Sequence, residues 1–277
     1  MKTLTSPQVM QRQSRRWLRE GRRVVLVPTM GALHEGHLSL IRRARKRAGE
    51  EGLVVVSIYV NPTQFNDPKD LKAYPRTLKA DEQLCRAEGV DAVFAPETLY
   101  PEGASVEISE NELALRLEGE QRPGHFAGVM TVVAKLFHLV QPTEAVFGEK
   151  DFQQVAVIQR MIRGLDFPVR LILGPTVREA DGLATSSRNV RLKGRMREQA
   201  AVLPAALRLA KEFGEGSVAN LKRRLKRLME AQPDVSVEYI EVVDAESFRP
   251  VRKAKRGTRL LLAAQVGPVR LIDNTGL

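Results

Sequence analysis

One cysteine, Cys85, occurs in 277 residues. That excludes an intrachain disulfide framework and a cysteine-rich zinc site, and it fits a reducing compartment. No stretch approaches the roughly 18 consecutive apolar residues of a membrane-spanning helix. Residues 1–20 are too polar for a secretory signal, so the expected location is the cytoplasm, with no membrane partner. Glycine–arginine tracts and RNP-type aromatic patterns are absent, although a net charge of +11 invites a nucleic-acid reading. The basic residues are spread over 11–23, 42–47, 191–197 and 222–227, mostly on expected helices, where they read as solvated faces. Charge of this kind also attracts anionic small molecules, and no nucleic-acid partner is expected. Missing too are the P-loop, a Gly-x-Gly-x-x-Gly after the first strand, and a Gly-x-Ser-x-Gly elbow. Their absence counts against P-loop NTPases, nicotinamide enzymes and α/β-hydrolases. No internal repeat or low-complexity segment is present.

The composition that remains, 43% apolar and 28% charged, is that of an ordinary globular protein. The length suits two domains. Val24-Val25-Leu26-Val27 reads as a buried strand and 38–48 as a helix. Leu53 to Val60 is a second near-continuous apolar run, as in a parallel strand covered on both faces. Together they make a right-handed βαβ unit over 24–60. Helices are expected at 7–20, 77–88, 126–139 and 151–164, and strands at 89–96, 144–147 and 169–173. The part from 97 to 125 reads as irregular, with a short strand at 105–109. This alternation predicts an α/β fold, a Rossmann-like doubly wound parallel sheet over residues 1–176. Beyond it, helices at 194–213 and 217–231 precede strands at 235–243, 259–264 and 269–272. That order predicts a smaller C-terminal α+β domain over 177–277.

The segment Pro28-Thr29-Met30-Gly31-Ala32-Leu33-His34-Glu35-Gly36-His37 joins the first buried strand to its helix. In open α/β sheets such loops line the crevice at the strands' carboxyl ends, where ligands bind. The helix start adds free N–H groups and the positive end of its dipole, which favour phosphate. His34 and His37, three apart, share a face. Two imidazoles beside such a turn suggest chemistry at a phosphoryl or adenylyl group. They can instead be ordinary buried or surface histidines, and a zinc reading lacks a third ligand.

Gly148-Glu149-Lys150-Asp151 is a second strand-to-helix turn, where Lys150 can reach a phosphate as a point charge and Asp151 can cap the helix. Capping alone explains the aspartate. The loop at 181–189 brings Thr185, Ser186, Ser187 and Arg188, donors suited to phosphate oxygens. An ordinary polar linker has the same composition. Gln64 and the Gln153–Gln154 pair can orient an uncharged polar substrate, or simply face solvent. Arg122, before Pro123-Gly124-His125, can meet a carboxylate or phosphate.

The first of these turns closely resembles the His-x-Gly-His signature of the nucleotidyltransferase superfamily. Four further segments agree in order with the pantoate–β-alanine ligases (pantothenate synthetases): Val60-Asn61-Pro62-Thr63-Gln64-Phe65, Tyr74-Pro75-Arg76-Thr77, Gly148 to Gln154, and Ser186-Ser187-Arg188-Asn189. The signature alone would leave adenylyltransferases and class I aminoacyl-tRNA synthetases open, whereas the five segments together are highly specific. The resemblance runs from about residue 20 onward. It implies ATP-dependent condensation of (R)-pantoate with β-alanine to pantothenate, AMP and diphosphate, through a pantoyl adenylate. It also implies ATP as co-substrate, Mg2+ and a homodimer.

By the same resemblance, Met30, Gly31, Ala32, Leu33, His34, Glu35, Gly36 and His37 would line the ATP site. Gly148, Glu149, Lys150, Asp151, Val177, Thr185, Ser186, Ser187 and Arg188 would complete it. His37, His34, Lys150, Arg188 and Ser186 would act on the phosphates, with electrostatic stabilisation weighing above proton donation by His37. Gln64 and Gln154 would hold pantoate, with Asn61 and Arg122 nearby and Gln64 also close to the amine site. Asp81 would lie near magnesium. The residue before Ser186, often methionine in this family, is Thr185 here. Two other readings stand beside this one: a related nucleotidyltransferase with another acceptor, and a basic RNA-binding module on a degenerate nucleotide fold.

Overall fold

The computed structural model describes every residue from Met1 to Leu277, and the chain divides after Pro175 into two compact units. In the N-terminal unit the elements run β1 (Lys2–Leu4), α1 (Pro7–Arg19), β2 (Val24–Thr29), α2 (Glu35–Ala48) and β3 (Leu53–Ile58). They continue as α3 (Pro68–Ala73), α4 (Leu78–Ala87), β4 (Ala92–Phe94), α5 (Glu118–Gln121), α6 (His125–Val140), β5 (Glu144–Gly148), α7 (Phe152–Gly164) and β6 (Arg170–Gly174). All six strands are parallel, in the order β1-β4-β3-β2-β5-β6. The fold expected from the sequence, a Rossmann-like doubly wound sheet, is therefore present.

The near-continuous apolar strands follow from burial on both sides. Val25, Val27, Val54, Val56 and Val93 pack under α2 and α4 with Leu40, Ile41, Ala44 and Cys85. Their neighbours Val24, Leu26, Val55, Ala92 and Phe94 are equally buried, though they point to the other face. That face receives α6, whose buried residues run all round it and include Phe126, Val129, Met130, Val133 and Phe137. A helix apolar on every side must be enclosed.

Chain order reverses between β2 and β5, because β3, β4 and β1 lie to one side and β6 to the other. The crevice at that reversal is where a doubly wound sheet binds ligands. Both histidine- and lysine-bearing turns leave the sheet there, one from β2 and one from β5.

Three local expectations are corrected. No strand forms at 105–109; this stretch is mostly exposed, and the Ile108 N–H is taken by Thr131 Oγ1 at 2.8 Å. The linker near Asp70 contains a helix, α3, started by Pro68 and by Asp67, whose side chain accepts from Lys69 N. The edge strand β1 is too short and polar to register as a strand in the sequence.

The C-terminal unit contains α8 (Arg195–Ala200), α9 (Val202–Phe213), β7 (Gly216–Ser217), α10 (Val218–Glu230), β8 (Val235–Asp244), β9 (Lys253–Ala254), β10 (Thr258–Val266) and β11 (Val269–Gly276). Strands β11, β10 and β8 form an antiparallel sheet. The helix expected over 194–213 is interrupted at Ala201, where Pro204 lacks the N–H that would bond to Ala200. On α10, Leu221, Leu225 and Met229 are buried while Arg223, Arg224, Lys226 and Arg227 face solvent. No helix is long and apolar enough to cross a membrane.

Ile41 is fully buried between α2 and the sheet. Truncation to alanine should lower the unfolding free energy by about 2–5 kcal/mol, measurable by denaturant titration.

Candidate active site

The turn after β2 begins with Thr29, whose hydroxyl donates to Ser57 O at 2.7 Å and accepts from Gly31 N at 3.1 Å. Gly31 and Ala32 then take left-handed backbone angles, φ +80° and +49°. A side chain at Gly31 would come within 3.0 Å of both Asp81 Oδ2 and Ile58 Cγ2, so glycine is required on two grounds. Two successive left-handed residues turn their amides to one side and form an anion-binding concavity. Its anion is internal: Asp81, 1% exposed, accepts from Ala32 N at 3.0 Å and Leu33 N at 2.8 Å. Thr77 Oγ1 adds a third donor at 3.1 Å. Asp81 thus braces the turn by holding the amides of Ala32 and Leu33.

His34 caps α2 through its carbonyl, which accepts from His37 N at 2.8 Å and Leu38 N at 3.0 Å. The His34 N–H donates to His37 Nδ1 at 3.4 Å, which places the His37 proton on Nε2. The two rings lie 4.0 Å apart, tilted by 35°. Burial, reinforced by His34, pushes the His37 pKa down to about 3; Asp151 opposes the shift and Lys150 adds to it. His37 is therefore a neutral N–H donor that feels the charges of the β5 turn. Glu35 starts α2, exposed and paired with Arg42, and Met30 Sδ receives Gln64 Nε2 at 3.1 Å.

After β5, residues 149–151 form a short 3-10 turn carrying Lys150, whose ammonium lies 3.6 Å from Asp151 Oδ1. The adjacent glutamines part ways. Gln153 is buried and ties α7 to the chain before α5, accepting from Glu118 N and donating to Leu113 O and Arg116 O at 2.7–3.1 Å. Gln154 is half-buried with its amide unpaired.

Gln64 closes a 3-10 turn, Pro62–Gln64, after β3. Asn61, 1% exposed, donates to Gln64 Oε1 at 3.2 Å and to Gly128 O at 3.1 Å. Arg122 lies against the same turn. Its amino groups meet Gln64 O at 3.1 Å and His125 Nε2 at 3.2 Å.

In the C-terminal unit, Thr185 N donates to Val177 O at 2.9 Å, and Glu179 N to Leu183 O at 2.8 Å, closing a hairpin whose tip is Gly182 at φ +87°. Asn189 is buried and donates to Glu179 Oε1 and to Ala184 O. Arg197 bonds Glu179 and Asp181 at 2.8 and 2.6 Å. Within this frame Ser186 Oγ accepts from Arg188 N at 3.3 Å, so Thr185, Ser186, Ser187 and Arg188 sit on a braced loop.

Sequence reasoning gave no role to Thr77, His125 or Gly128, although Thr77 closes one of the family segments. The Arg122-Pro123-Gly124-His125 run was the only available signal for His125.

A parallel sheet with a His-x-Gly-His turn and a lysine turn on either side of its switch point fits the class of nucleotide-binding α/β enzymes. Comparison with known proteins narrows the class. The family model for pantoate–β-alanine ligases matches residues 2–276. A pantothenate synthetase of Akkermansia muciniphila is 50% identical over 258 residues, 92% of each chain. The structure of the Thermus thermophilus pantothenate synthetase superposes with a TM-score of 0.91 at 43% identity, covering 100% of this chain and 99% of that one. A Francisella tularensis pantoate–β-alanine ligase, complexed with β,γ-ATP and β-alanine, superposes with a TM-score of 0.82 at 34% identity, covering 100% and 97%. The chain belongs to the pantoate–β-alanine ligase family.

Two measurements test this site. Asp81→Ala strands the amides of Ala32 and Leu33 and should cost about 2–4 kcal/mol of stability, read by denaturant unfolding. Any effect of magnesium should be the same in variant and parent, whereas a metal-ligand role would show as magnesium stabilisation lost in the variant. The second concerns His37 and His125, both with lowered pKa, the latter at about 4. Below about pH 6.5 the unfolded chain binds protons that the folded chain refuses. Stability should therefore be complete above that pH and fall towards pH 4, by up to about 1.4 kcal/mol per unit for each histidine. Denaturant titrations at several pH values would show this slope, and a flat profile would contradict it.

Proposed function

We propose that this chain is a pantoate–β-alanine ligase that condenses pantoate with β-alanine at the cost of ATP, giving pantothenate, AMP and diphosphate. The observation that carries this reading is the match along essentially the whole chain, joined to a histidine turn and a lysine turn at one switch point. In the first step a pantoate carboxylate oxygen attacks the α-phosphorus of ATP, the bond to the β-phosphate oxygen breaks, and diphosphate leaves. In the second the amine of β-alanine attacks the acyl carbon, AMP leaves with the C–O bond electrons, and the amine gives up a proton.

No covalent enzyme intermediate is required, so the chain's contribution is positioning and charge stabilisation. His37, neutral with its proton on Nε2, offers an N–H to a phosphate oxygen. Its low basicity supports hydrogen-bond donation over proton transfer. Lys150 supplies a fixed positive charge. His34, Gly148, Asp151, Val177, Ser186 and Arg188 are assigned to the nucleotide. Gln64, held by Asn61, and Gln154, with its free amide, are assigned to pantoate. The N-terminal unit thereby takes pantoate and supplies the histidine and lysine turns assigned to the nucleotide.

No group of three or more His, Cys, Asp or Glu side chains converges in a way that could hold a metal ion. Asp81 is committed to the turn. These residues do not form a protein cage for magnesium. A cytoplasmic homodimer is the setting this reading carries with it.

The reading predicts exchange of pyrophosphate into ATP that depends on pantoate and does not need β-alanine. Replacing His37 with alanine should slow that exchange by on the order of 10²–10³. ATP consumption that occurred only with an amino acid and tRNA would overturn the assignment.

A further inference from the structure

The clamp on the main chain of Gln64 has a role beyond holding a loop. His125, the first residue of α6, is 7% exposed and lies outside every segment that marks the family resemblance. Its Nδ1 is 2.8 Å from Gln64 O, and its Nε2 is 3.2 Å from Arg122 Nη1. Guanidinium has only donors, so Nε2 accepts and the ring proton sits on Nδ1, directed at the carbonyl. Arg122 Nη2 donates to the same carbonyl at 3.1 Å. A single peptide oxygen thus receives two donors from the entry of α6. One helical turn on, a side chain at Gly128 would meet Thr63 O at 2.6 Å and Gln64 N at 2.9 Å. The 3-10 turn can therefore seat directly on the helix backbone only because this residue is glycine.

The turn bears a side chain that reaches from the end of β3 to the histidine turn, since Gln64 Nε2 contacts Met30 Sδ. A rotation of the Gln64 peptide swings that amide, and the carbonyl is the handle by which the rotation is prevented. We propose that His125, assisted by Arg122, is a positioning residue that sets the Gln64 amide for pantoate and so governs affinity for that substrate. This rests on the assignment of Gln64 to pantoate made above.

Three variants, His125→Asn, His125→Leu and Gln64→Ala, separate the possibilities in steady-state and pyrophosphate-exchange assays. Leucine fills the site without a donor and should raise KM for pantoate by about tenfold or more, with KM for ATP nearly unchanged. Asparagine restores an N–H near Nδ1 and should recover most of the loss. Equal changes in both KM values, or a fall in kcat alone, would overturn the proposal in favour of a general structural role. If the leucine variant fails to fold, Arg122→Gln carries the same pantoate-only prediction. An effect of Gln64→Ala on pantoate KM without one from His125→Leu or Arg122→Gln would sink the clamp and leave the Gln64 assignment standing. No effect from Gln64→Ala would remove both.

Discussion

The site depends first on a buried carboxylate. The chain leaves β2 through two left-handed residues, a conformation costly for the non-glycine Ala32, and Asp81 holds it there by taking the amides of Ala32 and Leu33. Everything downstream inherits this geometry: where α2 begins, which carbonyl caps it, and how His34 and His37 come to lie ring against ring. The same charge reaches Cys85 one turn along α4, where burial and then Asp81 push the thiol up to about 12. The lone cysteine is therefore an inert packing group and not a nucleophile.

Filling that concavity with an internal anion changes the division of labour. A turn of this kind ordinarily offers its amides to phosphate. Here those amides are occupied, and the donors left for a nucleotide are the histidine side chains and the start of α2, opposite the lysine of the β5 turn. Under the proposed function, a neutral imidazole in that setting donates a hydrogen bond without adding charge, and Lys150 is the group that supplies it. Keeping the two functions on separate elements lets each turn be shaped by its own strand.

The amides assigned to pantoate under the proposed function sit in surroundings that differ in kind from those of their neighbour Gln153. Gln153 and Gln154 are neighbours on α7, yet one is buried by three backbone partners and the other is left open, because successive helical residues point about 100° apart. Gln64 is held at its side chain by Asn61 and Met30, and at its main chain by His125 and Arg122. Polar groups placed this way are expected to lose little freedom when a ligand arrives.

The alternation of apolar strands and helices, and the near-continuous runs at 24–27 and 53–60, determined the doubly wound sheet directly, because a strand covered on both faces has little room for polar residues. The five local segments likewise marked the turns and the family, since each turn's chemistry is written in consecutive residues. What only the tertiary structure decided is which polar side chains serve ligands and which serve the fold. Asp81 lies 48 and 49 residues from the amides it holds, and His125 lies 61 residues from the carbonyl it meets. A sequence shows that these groups can hydrogen-bond. Only folding brings their partners within about 3 Å, and that proximity sets Asp81 on the amides of the histidine turn and His125 on the carbonyl of Gln64.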